Sequence, residues 1–115
     1  MTYHVIVDQH AIDDIERNAR WWAEHHSAEQ AVRWYESAFV KIYSLDAMPE
    51  RHGLSYENGD FPYEIRDLLF GLGSRPRYRA VFTIKGNEVH VLTVRRAEEA
   101  PLTPGDLPLP PTDSQ

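Results

Sequence analysis

Between residues 11 and 49 the apolar side chains recur at helical spacing, and the pattern breaks once, at Ser27. Ile12, Ile15, Ala19 and Trp22 follow one another at intervals of 3, 4 and 3, which puts them on one helical face. Asp8 precedes that run as an N-cap, and the helix is predicted to end near His25 and His26. Ser27-Ala28-Glu29-Gln30 then reads as a capping box, with the Ser27 hydroxyl accepting from the Gln30 amide and the Gln30 side chain reaching back. A second apolar face reads Ala31, Trp34, Ala38, Phe39, Ile42 and Leu45, and Pro49 marks its stop. Two helices joined by little more than a cap residue fold back as an antiparallel hairpin. Such a hairpin still has an apolar side to bury.

The rest of the chain supplies the surface to bury it against. Residues 3–7 are β-prone and short enough for a first strand. Gly53, Asn58, Gly59 and Pro62 mark residues 50–62 as a loop. Three strand signals follow. Residues 63–70 carry Ile65, Leu68, Leu69 and Phe70, and Gly71-Leu72-Gly73-Ser74 closes them. Residues 77–84 alternate, with Tyr78, Ala80, Phe82 and Ile84 on one face and Arg77, Arg79, Val81 and Thr83 on the other. In residues 88–94, Val89 and Val91 oppose His90, Leu92 and Val94. Lys85-Gly86-Asn87 suits a tight hairpin between the last two strands. The expected fold is α+β in the order β-α-α-β-β-β, an antiparallel sheet with the helical hairpin packed on one face.

Composition closes off several chemistries. The 115-residue chain suits one domain, expected over residues 1–100. Residues 101–115 hold five of the eight prolines and are expected to be an extended or mobile tail. Without cysteine there is no disulfide framework, thiol nucleophile or cysteine zinc site. No apolar run approaches the ~20 residues that span a bilayer, and no export signal opens the chain, so a cytoplasmic protein without membrane contact is expected. No cofactor is expected either. Gly71-Leu72-Gly73 is followed by neither a helix start nor a lysine, so a β-turn explains its glycines. Nor is a metal site: His25 and His26 are adjacent, about 100° apart on a helix, and cannot chelate one ion together. Asp13 and Asp14 read as the solvated side of the first helix.

The net charge of −6 is unevenly spread. Residues 61–96 carry seven basic side chains, Arg66, Arg75, Arg77, Arg79, Lys85, Arg95 and Arg96, against three acidic ones, Glu64, Asp67 and Glu88. A basic segment in an acidic protein attracts an anionic partner over about a Debye length, ~8 Å. The negative field of the whole chain disfavours general nucleic-acid affinity.

This order of elements resembles the RelE/ParE toxin superfamily of type II toxin–antitoxin modules, over residues 3–96. The resemblance is carried by the second helix with its exit, W-Y-E-S-A-F-V-K-I-Y-S-L-D-A-M-P-E-R, by Glu64-Ile65-Arg66-Asp67-Leu68, and by Tyr78-Arg79-Ala80-Val81-Phe82 with the turn and valine-rich strand after it. It implies a growth-inhibiting toxin neutralised by a cognate antitoxin from a neighbouring gene. RelE-like members cleave mRNA in the ribosome; ParE-like members inhibit DNA gyrase and cleave nothing.

Messenger cleavage needs a base for the 2′-hydroxyl, a clamp for the charged phosphorane and an acid for the leaving oxygen. By resemblance, Arg66 and Arg79 match basic positions of RelE-like enzymes, and Arg95 or Arg96 follows the last strand. Glu64 stands where those enzymes carry lysine. The segment after Arg96, Ala97-Glu98-Glu99-Ala100, offers no His or Tyr as a proton shuttle. Arginine clamps phosphate well but is a poor acid. His90 is the remaining proton carrier, and its mid-strand position between Val89 and Val91 reads as structural. The favoured reading is therefore ParE-like, with Arg66, Arg77, Arg79 and Trp21, which falls off the first helix's apolar stripe, meeting a protein partner. The alternatives are a ribosome-dependent endonuclease using Arg66, Arg79, Arg95, Arg96 and His90, and a non-toxic corepressor or interaction module.

Overall fold

A computed structural model describes residues 2–107. Strand β1 (His4–Val7) leads into helix α1 (Gln9–His25), then helix α2 (Ala28–Tyr43), and short 3-10 turns connect these to β2 (Arg66–Phe70), β3 (Tyr78–Lys85) and β4 (Glu88–Arg96). The helix boundaries follow the caps. The Asp8 carboxylate accepts from the His10 N–H at 2.9 Å. Ser27 Oγ accepts from the Gln30 N–H at 3.1 Å, while no reciprocal bond from Gln30 forms among the described residues.

The four strands lie in the order β1-β4-β3-β2. The β2–β3 and β3–β4 pairs are antiparallel, as expected, and Gly86 takes φ 61° in the hairpin turn. The first strand departs from the expected antiparallel sheet: β1 pairs with β4 in parallel, His4 opposite Glu88 through Val7 opposite Val91. Counting reversals explains this. Helix α1 carries the chain on past the end of β1, and α2 returns it to the starting end, where the Tyr3 N–H donates to the Asp46 carbonyl at 2.8 Å. Strand β2 therefore sets out in the direction of β1, and two hairpin reversals later β4 runs that way too. The sheet is mixed.

β1 stops at Val7, so the upper edge of β4 has no partner strand. Asp14 takes its place. One of its carboxylate oxygens accepts from the Val94 N–H at 3.1 Å and the Thr93 hydroxyl at 2.5 Å, and the other meets the Arg17 guanidinium at 2.6 Å. Asp14 is thus buried, not on the solvated side of the helix where the sequence put it.

The hairpin covers one face. Ala11, Ile15, Trp34, Ala38, Ile42 and Leu45 close onto Leu68, Phe70, Tyr78, Ala80, Phe82, Val89, Val91 and Val94. Val94 shares a face with Val91 against the expected alternation, because a bulge interrupts the ladder: Val81 faces Thr93 while Phe82 faces Val91. The extra residue, Leu92, turns to the opposite face.

That opposite face has its own smaller core: Phe61, Ile65, Val81, Leu92, Leu102 and Leu107, with Tyr63 against it. The last two come from the proline-rich stretch. Of that stretch, residues 101–107 are described, with a 3-10 turn at Pro104–Asp106; residues 108–115, also expected to be extended or mobile, lie outside the described residues.

Candidate partner-binding cleft

The arginines of the basic segment divide between the faces of the sheet, and Arg66, Arg79 and Arg95 are bound internally. Arg66 lies opposite Phe82, which puts it on the helix-covered side. Its guanidinium donates to the carbonyls of His52 at 2.7 Å and Glu50 at 3.3 Å and lies 3.5 Å from the Glu64 carboxylate. Arg79 points to the other side and is 5% exposed. It is forked onto Glu57 and donates to Asp67 at 3.2 Å, while the Ser55 hydroxyl holds Asp67 at 2.5 Å. Burial alone would raise the Glu57 carboxyl, but the Arg79 guanidinium and the Leu102 N–H hold it down at about 2. The expected joint patch of Arg66, Arg77 and Arg79 therefore does not assemble: the register separates Arg66 from Arg79, and Arg79 is consumed by carboxylates. Arg95, on the side of Arg79, donates to the Ala100 carbonyl at 2.8 Å.

Arg75, Arg77 and Arg96 remain; Arg75 is exposed in the loop before β3, and the other two come together. Arg96 faces the helices opposite Tyr78, and the Arg77 carbonyl accepts from the Ala97 N–H at 2.8 Å, which brings the two arginine positions side by side. Arg77 is exposed, with no ion pair among the described residues. Together with Trp21, Trp22, His26, Tyr78 and Glu98 they line a cleft of about 270 Å³ where the end of α1 meets the ends of β3 and β4. A second cleft of about 330 Å³ shares Trp21, Arg96 and Glu98 and adds Arg17 and Asn18. The wall is aromatic. Trp21 stacks on His25 at 4.5 Å, and the Arg96 guanidinium lies 5.0 Å from the Trp21 ring centre. Trp22 donates from its indole nitrogen to the Tyr78 hydroxyl at 3.0 Å. Trp21 is half-buried by these neighbours, where its position off the stripe suggested an exposed ring.

The nuclease set is dispersed. Arg79 is sealed, Arg66 is on the far side of the sheet from it, and only Arg96 lines the cleft. His90 is buried beside Thr83, its Nε2 3.0 Å from a Glu88 carboxylate oxygen, and reaches none of the arginines' clefts. Among the described residues no three metal-ligating side chains converge, and no helix is long and apolar enough to cross a membrane. His26 was missed as a site residue. As the C-cap of α1 it carries its ring into the cleft.

A helical hairpin laid across one face of a β1-β4-β3-β2 sheet is the fold of this chain. A solved chain of the chromosomal ParDE TA system from P. aeruginosa shares it, with a TM-score of 0.67 over 84% of this chain and 98% of that one, at 18% identity. No protein-family model and no curated protein matches the sequence.

Proposed function

We propose that this protein is the toxin of a type II toxin–antitoxin module, that it inhibits growth in the cytoplasm by binding a protein target, DNA gyrase by family analogy, and that a cognate antitoxin neutralises it. The observation that carries the reading is the fold shared with the ParDE chain over nearly all of that chain's length. The state of the arginines supports binding over cleavage: Arg66, Arg79 and Arg95 are tied to internal acceptors, and Arg77 and Arg96 flank an aromatic-walled cleft suited to a carboxylate of a partner protein. One observation favours the ribosome-dependent endonuclease. His26 lines the same cleft as Arg77 and Arg96, which places one imidazole beside two phosphate-binding groups.

Induction of the gene in growing cells tests both. Arrested growth with intact messages and a DNA-damage response is the expected result. Primer extension on a translated message then decides chemistry: site-specific cuts lost in His26→Ala or Arg96→Ala establish the endonuclease. A folded protein without effect on growth overturns both toxin readings. Arg77→Glu, at an exposed position, is expected to abolish target or antitoxin binding and leave the fold intact.

A further inference from the structure

Four body residues, Phe61, Ile65, Val81 and Leu92, make an apolar floor on the sheet face away from the helices, and among the described residues neither α1 nor α2 packs on it. Leu102 and Leu107 fill that floor, 2% and 8% exposed. Beside it stands a backbone acceptor, Glu57 Oε2, which receives the Leu102 N–H at 2.9 Å. Glu57 is also held from the side of the sheet. Arg79 orients it from β3, Asp67 braces Arg79 from β2, and Ser55 braces Asp67. Apart from the Leu102 N–H, the partners that hold Glu57 come from the body of the domain.

The segment itself is lightly attached. Between the two leucines, Thr103, Pro104, Gly105 and Asp106 are exposed. Their hydrogen bonds turn inward: Asp106 Oδ2 accepts from the Thr103 N–H at 2.9 Å and from its hydroxyl at 3.1 Å, and the Asp106 N–H donates to the Thr103 carbonyl at 2.9 Å. The segment carries its own shape, so little ordering entropy is lost on docking or regained on release. None of its residues belongs to the larger, helix-side core.

We propose that this sheet face is a peptide-binding surface, two leucine sockets and one carboxylate acceptor for a backbone N–H, occupied in this chain by its own residues 101–107 as a displaceable strap. The strap holds the surface closed because its tether gives it a high local concentration, which a free peptide must exceed. A partner segment with apolar residues at the same five-residue separation and a free N–H at the first of them fits the opened surface. This inference is independent of the toxin reading.

The test uses the full chain and a fluorescent peptide of residues 100–107. Leu102→Asp/Leu107→Asp releases the strap, and fluorescence anisotropy reads peptide binding. The released variant, folded by circular dichroism, is expected to bind at least tenfold more tightly than wild type, and a peptide carrying Leu102→Asp is expected not to bind. In wild type, the Leu102 amide is expected to exchange with solvent at least 100-fold faster than the Val81 and Phe82 amides. Equal binding by the two proteins, no binding by the folded variant, or loss of the fold on release each overturns the proposal. Exchange of the Leu102 amide only through global unfolding does the same. Peptide bound only between two protein copies, seen as dimers by light scattering, replaces the strap with a swapped segment and overturns it as well.

Discussion

The two faces of one sheet are buried by different means. On the helix side, rings meet rings: Trp34 lies 4.9 Å from Tyr78 and 6.0 Å from Phe70, and Phe70 and Tyr78 stack at 5.8 Å. Both helices and all four strands contribute to that core or pack against it. The other side is covered by loop and strap, and it mixes leucines with a buried charge network of Arg79, Glu57 and Asp67. A helix satisfies its own backbone groups, so it buries a sheet face with apolar atoms alone. A loop brings unpaired N–H groups, and a buried carboxylate such as Glu57 is one way to receive them. The charge on this face follows from the kind of cover it has.

The largest expected effect tests the helix side. Phe82→Ala empties a fully buried ring site between β3 and the hairpin and is expected to cost about 4 kcal/mol of stability in urea unfolding. Because every element shares that core, the loss should appear as one shifted transition. A separate early transition would show that the hairpin and the sheet unfold independently.

Next is the charge network. Arg79→Met leaves Glu57 buried without its cation and is expected to cost about 3 kcal/mol. Arg79→Met/Glu57→Leu removes the pair and is expected to recover only part of that loss, since apolar packing replaces the two charges but leaves the Leu102 N–H without its acceptor. The same network sets an acid limit. Glu57 ionises at about 2 in the fold and at about 4.5 ordinarily, so it contributes its full share above pH 4.5 and loses it between 4.5 and 2. Glu57→Gln should flatten that limb of the stability curve. Leu102→Ala, on the strap, is expected to cost about 2 kcal/mol, the low end for a buried leucine, because the strap can settle into the space.

What the sequence shows of these two sides differs for the same reason. The hairpin is legible because its caps and periodicity are local: Asp8 and Ser27 sit where the helices start, and Trp34, Ala38 and Ile42 are the residues buried. The parallel β1–β4 pair depends on where two helices deliver the chain, which no strand's own pattern records. Val94 was assigned to the wrong face because a bulge leaves no mark in an alternating run. Asp14 was readable, since Ala11, Asp14 and Ile15 share the buried stripe at spacings of 3 and 1, but an acidic residue in that stripe was taken for solvent-facing. The partners of Arg79 were not readable. Glu57 lies 22 residues away in a loop, so of the three arginines expected in one patch Arg79 is buried, Arg66 is tied to backbone carbonyls and Arg77 alone reaches the cleft.

The smallest effect falls on the helix side, on His52. Its ring stands edge-on to Phe82 at 5.9 Å, and its Nε2 is buried without a hydrogen-bond partner among the described residues. Burial, and then the positive charges of Arg51, Arg66 and Lys41, push its pKa below the ordinary 6.5. The folded protein therefore resists a proton that the unfolded chain accepts. The sign follows: stability from neutral His52 is complete above pH 6.5 and declines as the pH falls from there through the lower folded value. His52→Phe keeps the edge-on ring contact and cannot titrate. Subtracting its stability–pH curve from that of wild type should leave a shallow slope below pH 6.5, with wild type losing more on acidification. A difference curve that is flat there would show that the His52 ring is hydrated in solution and the charges of Arg51, Arg66 and Lys41 are screened from it. A slope of opposite sign would require an acidic partner for His52 in solution.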